Sequence, residues 1–194
     1  MNDECRMTND ECHSAQIAGL GLLRHSSFMR AAIALGSNLG DRLANLTAGR
    51  EAVLRLPGVS APVLCSRVHE TEPVGTGPDA GPFLNAVIEV ELSAAPFALL
   101  AGLRLIESAL GRPIRYPRNA PRTLDLDILY ISDLVLDDET LILPHPRLHL
   151  RRFVLAPLND IRAELHLPRQ TRSVAELLAS LGDPSAVTVF AEAW

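Results

Sequence analysis

The segment best suited to chemistry is Pro121-Arg122-Thr123-Leu124-Asp125-Leu126-Asp127-Ile128-Leu129. Its alternating pattern predicts a strand, which puts Asp125 and Asp127 on one face and Leu124, Leu126 and Ile128 on the other. Carboxylates two residues apart on a strand are separated by about 6–7 Å and repel one another unless a cation joins them. Oxygen-only ligands favour Mg²⁺ or Mn²⁺, and Mg²⁺ usually arrives with the phosphates of a nucleotide. The bland alternative is a half-exposed edge strand with two solvated acids.

The residues leading into this strand strengthen the first reading. Arg112, Arg115, Arg118 and Arg122 lie within eleven residues that contain no acid, and Gly111, Pro113, Pro117 and Pro121 keep them out of regular structure. A loop of guanidinium groups beside paired carboxylates suits a Mg²⁺-nucleotide, since arginine grips phosphate bidentately. A basic surface loop is the other option. Glu107 falls inside the apolar stripe of a predicted helix, where it needs either Arg104 as an ion-pair partner or a role in the site. Phe83 and Asn85 share the strand face opposite the predicted core. They suit a flat heterocycle that stacks and pairs, or else a second covered face. The loop from Thr71 to Gly75 leads towards the same region. His145, between Pro144 and Pro146, is held either for a ligand or for a structural hydrogen bond.

Composition bounds what these residues can belong to. The chain has 194 residues, 47% apolar and 21% charged, with a net charge of −5, as expected of one globular domain. All 18 basic residues are arginine, which excludes a lysine-bearing P-loop and Schiff-base catalysis. The acidic balance argues against a nucleic-acid partner. No apolar run reaches the ~20 residues of a membrane helix. Cys5, Cys12 and Cys65 form no C-x-x-C pair and fit a reducing cytoplasm; Cys12 beside His13 lacks further metal ligands. Residues 1–28 repeat Asn-Asp-Glu-Cys and lack periodicity, so they are expected to be a flexible extension or a start-site artefact, with one domain over 29–194.

The elements that must position the site follow from pattern. A buried strand is expected over Ala31–Leu35, a helix over Asp41–Leu56, a strand near 60–70 and an alternating strand over Phe83–Leu92. A helix opened by Pro96 and closed by Gly111 comes next, then a strand over Leu124–Ile131. Ser173 and Glu176 form a capping box for a last helix. Strand, helix, strand, strand, helix, strand is the split βαβ order of an α+β, ferredoxin-like sandwich, here with additional C-terminal strands and helices.

Several ordered blocks also resemble one family. Arg118-x-Ala120-Pro121-Arg122-x-x-Asp125-Leu126-Asp127-Ile128-Leu129 is similar to the signature of the 6-hydroxymethyl-7,8-dihydropterin pyrophosphokinases. Ala34-Leu35-Gly36-Ser37-Asn38-Leu39-Gly40, Glu70-Thr71-Glu72-Pro73, Phe83-Leu84-Asn85-Ala86, Pro144-His145-Pro146-Arg147 and Arg151-Arg152-Phe153-Val154-Leu155-x-Pro157-Leu158 extend the likeness. The resemblance covers roughly Ala31 to Leu181. It implies transfer of the β,γ-pyrophosphoryl group of ATP to the pterin's hydroxymethyl oxygen. Asp125 and Asp127 would hold two Mg²⁺ ions, with Arg112 and Arg122 joining them in catalysis. ATP would meet Glu107, Arg112, Arg122, His145 and Arg151. The pterin ring would lie between Phe83 and Phe153, read by Asn85, Thr71, Pro73 and Val74. The implied partners are these two small molecules, with a monomer or weak dimer and neither nucleic acid nor membrane.

The chain departs from the family pattern at three places: Asn119-Ala120 replaces a common Trp-Gly, Ile114 stands where a second loop arginine is usual, and Arg104 replaces a frequent glutamine. These bear on the nucleotide grip and leave the carboxylate pair alone. Two other classes remain as alternatives, a non-catalytic binding module on the same fold and a two-metal nucleotidyl- or phosphohydrolase.

Overall fold

A computed structural model of the chain describes residues 28–72, 81–111, 121–182 and 186–194. The expectations for residues 1–27, Pro73, Val74, Arg112, Arg115 and Arg118 lie outside these residues, as do Ile114, Asn119 and Ala120.

The order is β1 (Met29–Ser37), α1 (Arg42–Leu54), β2 (Val59–Cys65), β3 (Val68–Thr71), β4 (Phe83–Leu92), α2 (Pro96–Ala109) and β5 (Asp125–Ile131). A two-stranded ribbon, β6 (Leu136–Asp137) and β7 (Ile142–Leu143), precedes α3 (Arg152–Arg162), α4 (Val174–Ser180) and β8 (Val187–Ala191). The main sheet runs β5-β1-β4-β3-β8, with β2 also on β4, and every pairing is antiparallel. This is the ferredoxin-like order, with β2 and β3 together filling the second-strand position.

That split was not visible in the pattern around residues 60–70. Pro62 has no N–H to donate, and the β2–β4 ladder breaks between Ser60 and Leu64. Ser66 then leaves the strand and its Oγ accepts the Val87 amide at 2.9 Å. The chain re-enters the sheet as β3.

One sheet face packs on α1 and α2. Leu46 and Val53 of α1 and Leu99, Leu103 and Ile106 of α2 meet Ile33, Leu35, Leu84, Ile88, Leu124, Leu126 and Ile128 in one buried cluster. The other face is also covered. Val154, Leu155 and Leu158 of α3 and Val174 and Leu177 of α4 pack on Ala32, Val87, Leu129 and Tyr130. On this face Val87 is covered by the second layer of helices, while Asn85 is buried and Phe83 stays partly exposed. α3 was not legible as a helix because Pro157 lies inside it, where proline removes a backbone donor. The Ser173–Glu176 capping box of α4 forms as expected, with both reciprocal bonds present.

Two buried ionic clusters fasten α3 to the sheet. Asp160 accepts from Arg67 at 2.6 Å and pairs with His69 Nε2 at 2.8 Å. Glu89, 4% exposed in the sheet, accepts from the Arg162 guanidinium and the Tyr130 hydroxyl.

Candidate active site

Among the described residues β5 is an edge strand of the sheet, paired with β1 in a register that sets Asp125 opposite Gly36 and Asp127 opposite Ala34. At this edge the Leu126 amide, between the two aspartates, donates to Glu107 Oε1 of α2 at 2.8 Å. Glu107 is thus buried for a reason the helical wheel could not supply. It holds the backbone that carries both carboxylates.

Two clefts meet at this pair. One, of about 360 Å³, is lined by Arg104 and Glu107 of α2, by Asp125, Asp127 and Ile128, by Glu139 to Ile142, and by His145. The other is a recess of about 30 Å³ against Gly36, Asn85, Phe153 and Val154, and the same two aspartates line it. Asp125 and Asp127 form the wall between the two spaces. A larger cleft of about 630 Å³ opens over Arg30, Glu89, Tyr130 and Arg162, and none of the sequence-flagged site residues lines it.

Charge is arranged around the wall. Burial, then the neighbouring Asp125 charge, raise the Asp127 pKa, and His145, Arg151 and Arg122 only partly offset this. Arg122 reaches Asp125 at 3.2 Å, and among the described residues its buried Nε has no hydrogen-bond partner. Burial lowers the His145 pKa, so the imidazole is neutral near pH 7. Its Nδ1 accepts the Arg147 amide at 3.2 Å, which leaves the proton on Nε2 as a donor. Its own backbone amide is fixed on the Leu129 carbonyl at 2.8 Å.

The two rings proposed for a flat substrate each carry an arginine. The Arg122 guanidinium lies 5.5 Å from the centre of Phe83 and that of Arg151 lies 5.4 Å from the centre of Phe153, both within cation–π range. Phe153 lines the small recess, whereas Phe83 does not. Asn85, 7% exposed, donates from Nδ2 to Thr71 Oγ1 at 2.8 Å. Sequence reasoning missed Gly36, Val154, Glu139 and Thr140 as lining residues. Gly36 stood in a quoted block, but only the β1–β5 register shows that it borders Asp125.

Gly36 gives a direct test of the recess. A Cβ built there would lie 3.5 Å from Asn85 Oδ1 and 3.8 Å from Asp125 Cβ, ordinary contacts that need no backbone shift. Gly36→Ala is expected to fold normally while filling the recess. The KM of the ring substrate should rise about tenfold or more, with the KM of the nucleotide unchanged. Equal KM values in mutant and wild type would count against the recess as the ring site.

With this geometry in place, comparison with known proteins is decisive about ancestry. The family model for 7,8-dihydro-6-hydroxymethylpterin-pyrophosphokinase (HPPK) matches residues 32–163. The chain belongs to the HPPK family. A 2-amino-4-hydroxy-6-hydroxymethyldihydropteridine pyrophosphokinase of Bacillus subtilis is 47% identical over 133 residues, 68% of this chain and 77% of that one. One from Methylorubrum extorquens is 39% identical over 158 residues, 81% of this chain and 96% of the other. Among solved structures, an HPPK-DHPS complex with substrates aligns with a TM-score of 0.63 at 12% identity. The alignment covers 79% of this chain but only 43% of that longer one. At that identity the likeness speaks for the HPPK fold alone.

Proposed function

We propose that this HPPK transfers the β,γ-pyrophosphoryl group of ATP to the hydroxymethyl oxygen of 6-hydroxymethyl-7,8-dihydropterin, releasing AMP, as a step of folate biosynthesis. The observation that carries this is the pair of clefts divided by Asp125 and Asp127. A nucleotide in the larger cleft and a pterin seated over the mouth of the recess, which at about 30 Å³ takes only an edge of the ring, would present their reacting groups to the same two carboxylates.

Two carboxylates on one face suit Mg²⁺, which takes one or two protein carboxylates and completes its shell with phosphate oxygens and water. Among the described residues no group of three or more acidic, histidine or cysteine side chains is gathered here, so phosphate oxygens and water would have to complete the shell of any ion the pair holds. Asp125 and Asp127 would hold the ions, whose chemistry is to neutralise the transferred group and ease ionisation of the attacking hydroxyl.

The chain's own groups do the positioning. Arg122 and Arg151 would offer their guanidinium groups to phosphate oxygens, as the family resemblance implies, and His145 Nε2–H would add a neutral donor from the cleft wall. Arg112 joins them on the family resemblance. Glu107 fixes the strand between the aspartates. Phe153 with Phe83, Asn85 and Thr71, and Pro73 and Val74 by resemblance, would hold the ring. Phosphoryl-type transfer depends mainly on such positioning and charge neutralisation.

The same proposal takes 29–194 as one catalytic unit, monomeric or weakly dimeric, in the cytoplasm. Among the described residues no helix is long and apolar enough to cross a membrane. The metal requirement is tested by assaying turnover in EDTA and then restoring Mg²⁺. No AMP in EDTA and full recovery are expected. Undiminished turnover in EDTA would contradict the assignment to Asp125 and Asp127.

A further inference from the structure

Arg42, the first residue of α1, lines neither cleft, yet it bonds the residues next to Thr71 and Phe83. A single nitrogen, Nη1, donates to Glu70 Oε1 and to the Pro82 carbonyl, each at 2.8 Å. Those acceptors occupy special places in the chain. Glu70 immediately precedes Thr71, and Pro82 immediately precedes Phe83. Thr71 and Phe83 are paired partners across β3 and β4, at the last rung of that ladder. Among the described residues no β3–β4 pair lies beyond this rung. The Phe190 ring of β8 lies 5.7 Å from the guanidinium and covers it from the sheet edge. Arg42 keeps 24% of its side-chain surface and Glu70 33%, so the pair is partly shielded and contributes little to global stability.

We propose that Arg42 is a positioning residue for the pterin site, clamping Thr71 to Phe83 by bonding the residues just before each of them. This rests on the pterin reading of the Thr71–Asn85–Phe153 region. Thr71 in turn anchors Asn85 through its hydroxyl, so a loosened last rung moves the ring and the amide together. Misplacement of binding groups by about an ångström is enough to cost 10- to 100-fold in reactions that depend on orientation.

Three variants test the clamp, with kcat and both KM values measured alongside thermal melts. Arg42→Met, which removes both bonds, is expected to raise the KM for pterin about tenfold or more while the KM for ATP and the melting temperature stay near wild type. Arg42→Lys should restore the pterin KM, because one ammonium nitrogen can serve both acceptors that Nη1 serves. A general loss of structure would move the melting temperature and both KM values, and it would not single out pterin. If Arg42→Met fails to fold, Glu70→Ala removes one acceptor alone and should still raise the pterin KM selectively. An unchanged pterin KM in Arg42→Met, or in Glu70→Ala where the first does not fold, overturns the proposal. Asn85→Ala separates this failure from failure of the underlying reading. If Asn85→Ala raises the pterin KM and Arg42→Met does not, only the clamp falls. If neither changes it, the ring site itself is misassigned and the clamp falls with it.

Discussion

Asp127→Asn should reduce pyrophosphoryl transfer by about 10³-fold or more and at the same time leave a folded, slightly more heat-resistant protein. The activity loss follows from its place in the wall between the two clefts. The stability gain follows from linkage. Burial and the Asp125 charge raise the Asp127 pKa in the folded state. A carboxyl that binds its proton more tightly when folded makes the protein less stable as pH rises past its unfolded pKa. Asparagine removes that ionised group, so the melting temperature in EDTA near pH 7 should go up. Melts in EDTA and steady-state assays in Mg²⁺ check both halves. A variant that keeps near-normal turnover at saturating Mg²⁺ would count against the site, and one that unfolds would count against the electrostatic argument.

The second large effect is structural. Arg162→Ala leaves Glu89 with Tyr130 as its one hydrogen-bonding side chain among the described residues, in a setting that keeps 5% of its side chain exposed. Stranding one member of a buried pair costs about 3–5 kcal/mol. The lower end applies here, because Arg162 itself keeps 30% of its side chain in water. For a domain of this size, about 3 kcal/mol corresponds to a fall in melting temperature of roughly 10 °C. Pairing Arg162→Met with Glu89→Gln, which removes the stranded charge, should recover much of it. A single mutant that melts with wild type would show that the cluster is not what fastens α3.

The same clusters set the acid limit of the fold. Burial pushes the Glu89 carboxyl up, but hydrogen bonds from Arg162 and Tyr130 outweigh it and hold the pKa below the ordinary range. Asp160 behaves likewise, with Arg67 and His69 overcoming its burial. Groups with depressed folded pKa values stabilise fully above their unfolded values, about 4.5 for Glu89 and 3.8 for Asp160, and lose this as pH falls through the folded ones. Asp127 acts with the opposite sign and offsets part of that loss. Denaturant midpoints measured from pH 6 down to pH 3 should fall, and less steeply in Arg162→Met with Glu89→Gln.

What could be read from the sequence was local. β4 spans Phe83–Leu92 as its alternation indicates, and the capping box starts α4 where Ser173 and Glu176 place it. The leucines beside Asp125 and Asp127 face the α1–α2 core as period two requires. Features that depend on distant pairing were not legible. β8 joins β3 across more than a hundred residues, and the Arg162–Glu89 and Asp160–His69 contacts span 73 and 91 residues. Glu107 shows the limit most clearly. Its position on the helical wheel marked it as anomalous, but its partner is a backbone amide of another element, which no side-chain pattern encodes.

The most direct measurement is product identity. Purified protein is incubated with ATP, Mg²⁺ and 6-hydroxymethyl-7,8-dihydropterin, and the nucleotides are separated by chromatography. AMP should form only when pterin is present, in equal amount to the pterin consumed. ADP, or AMP released at the same rate without pterin, would contradict pyrophosphoryl transfer at the Asp125–Asp127 wall.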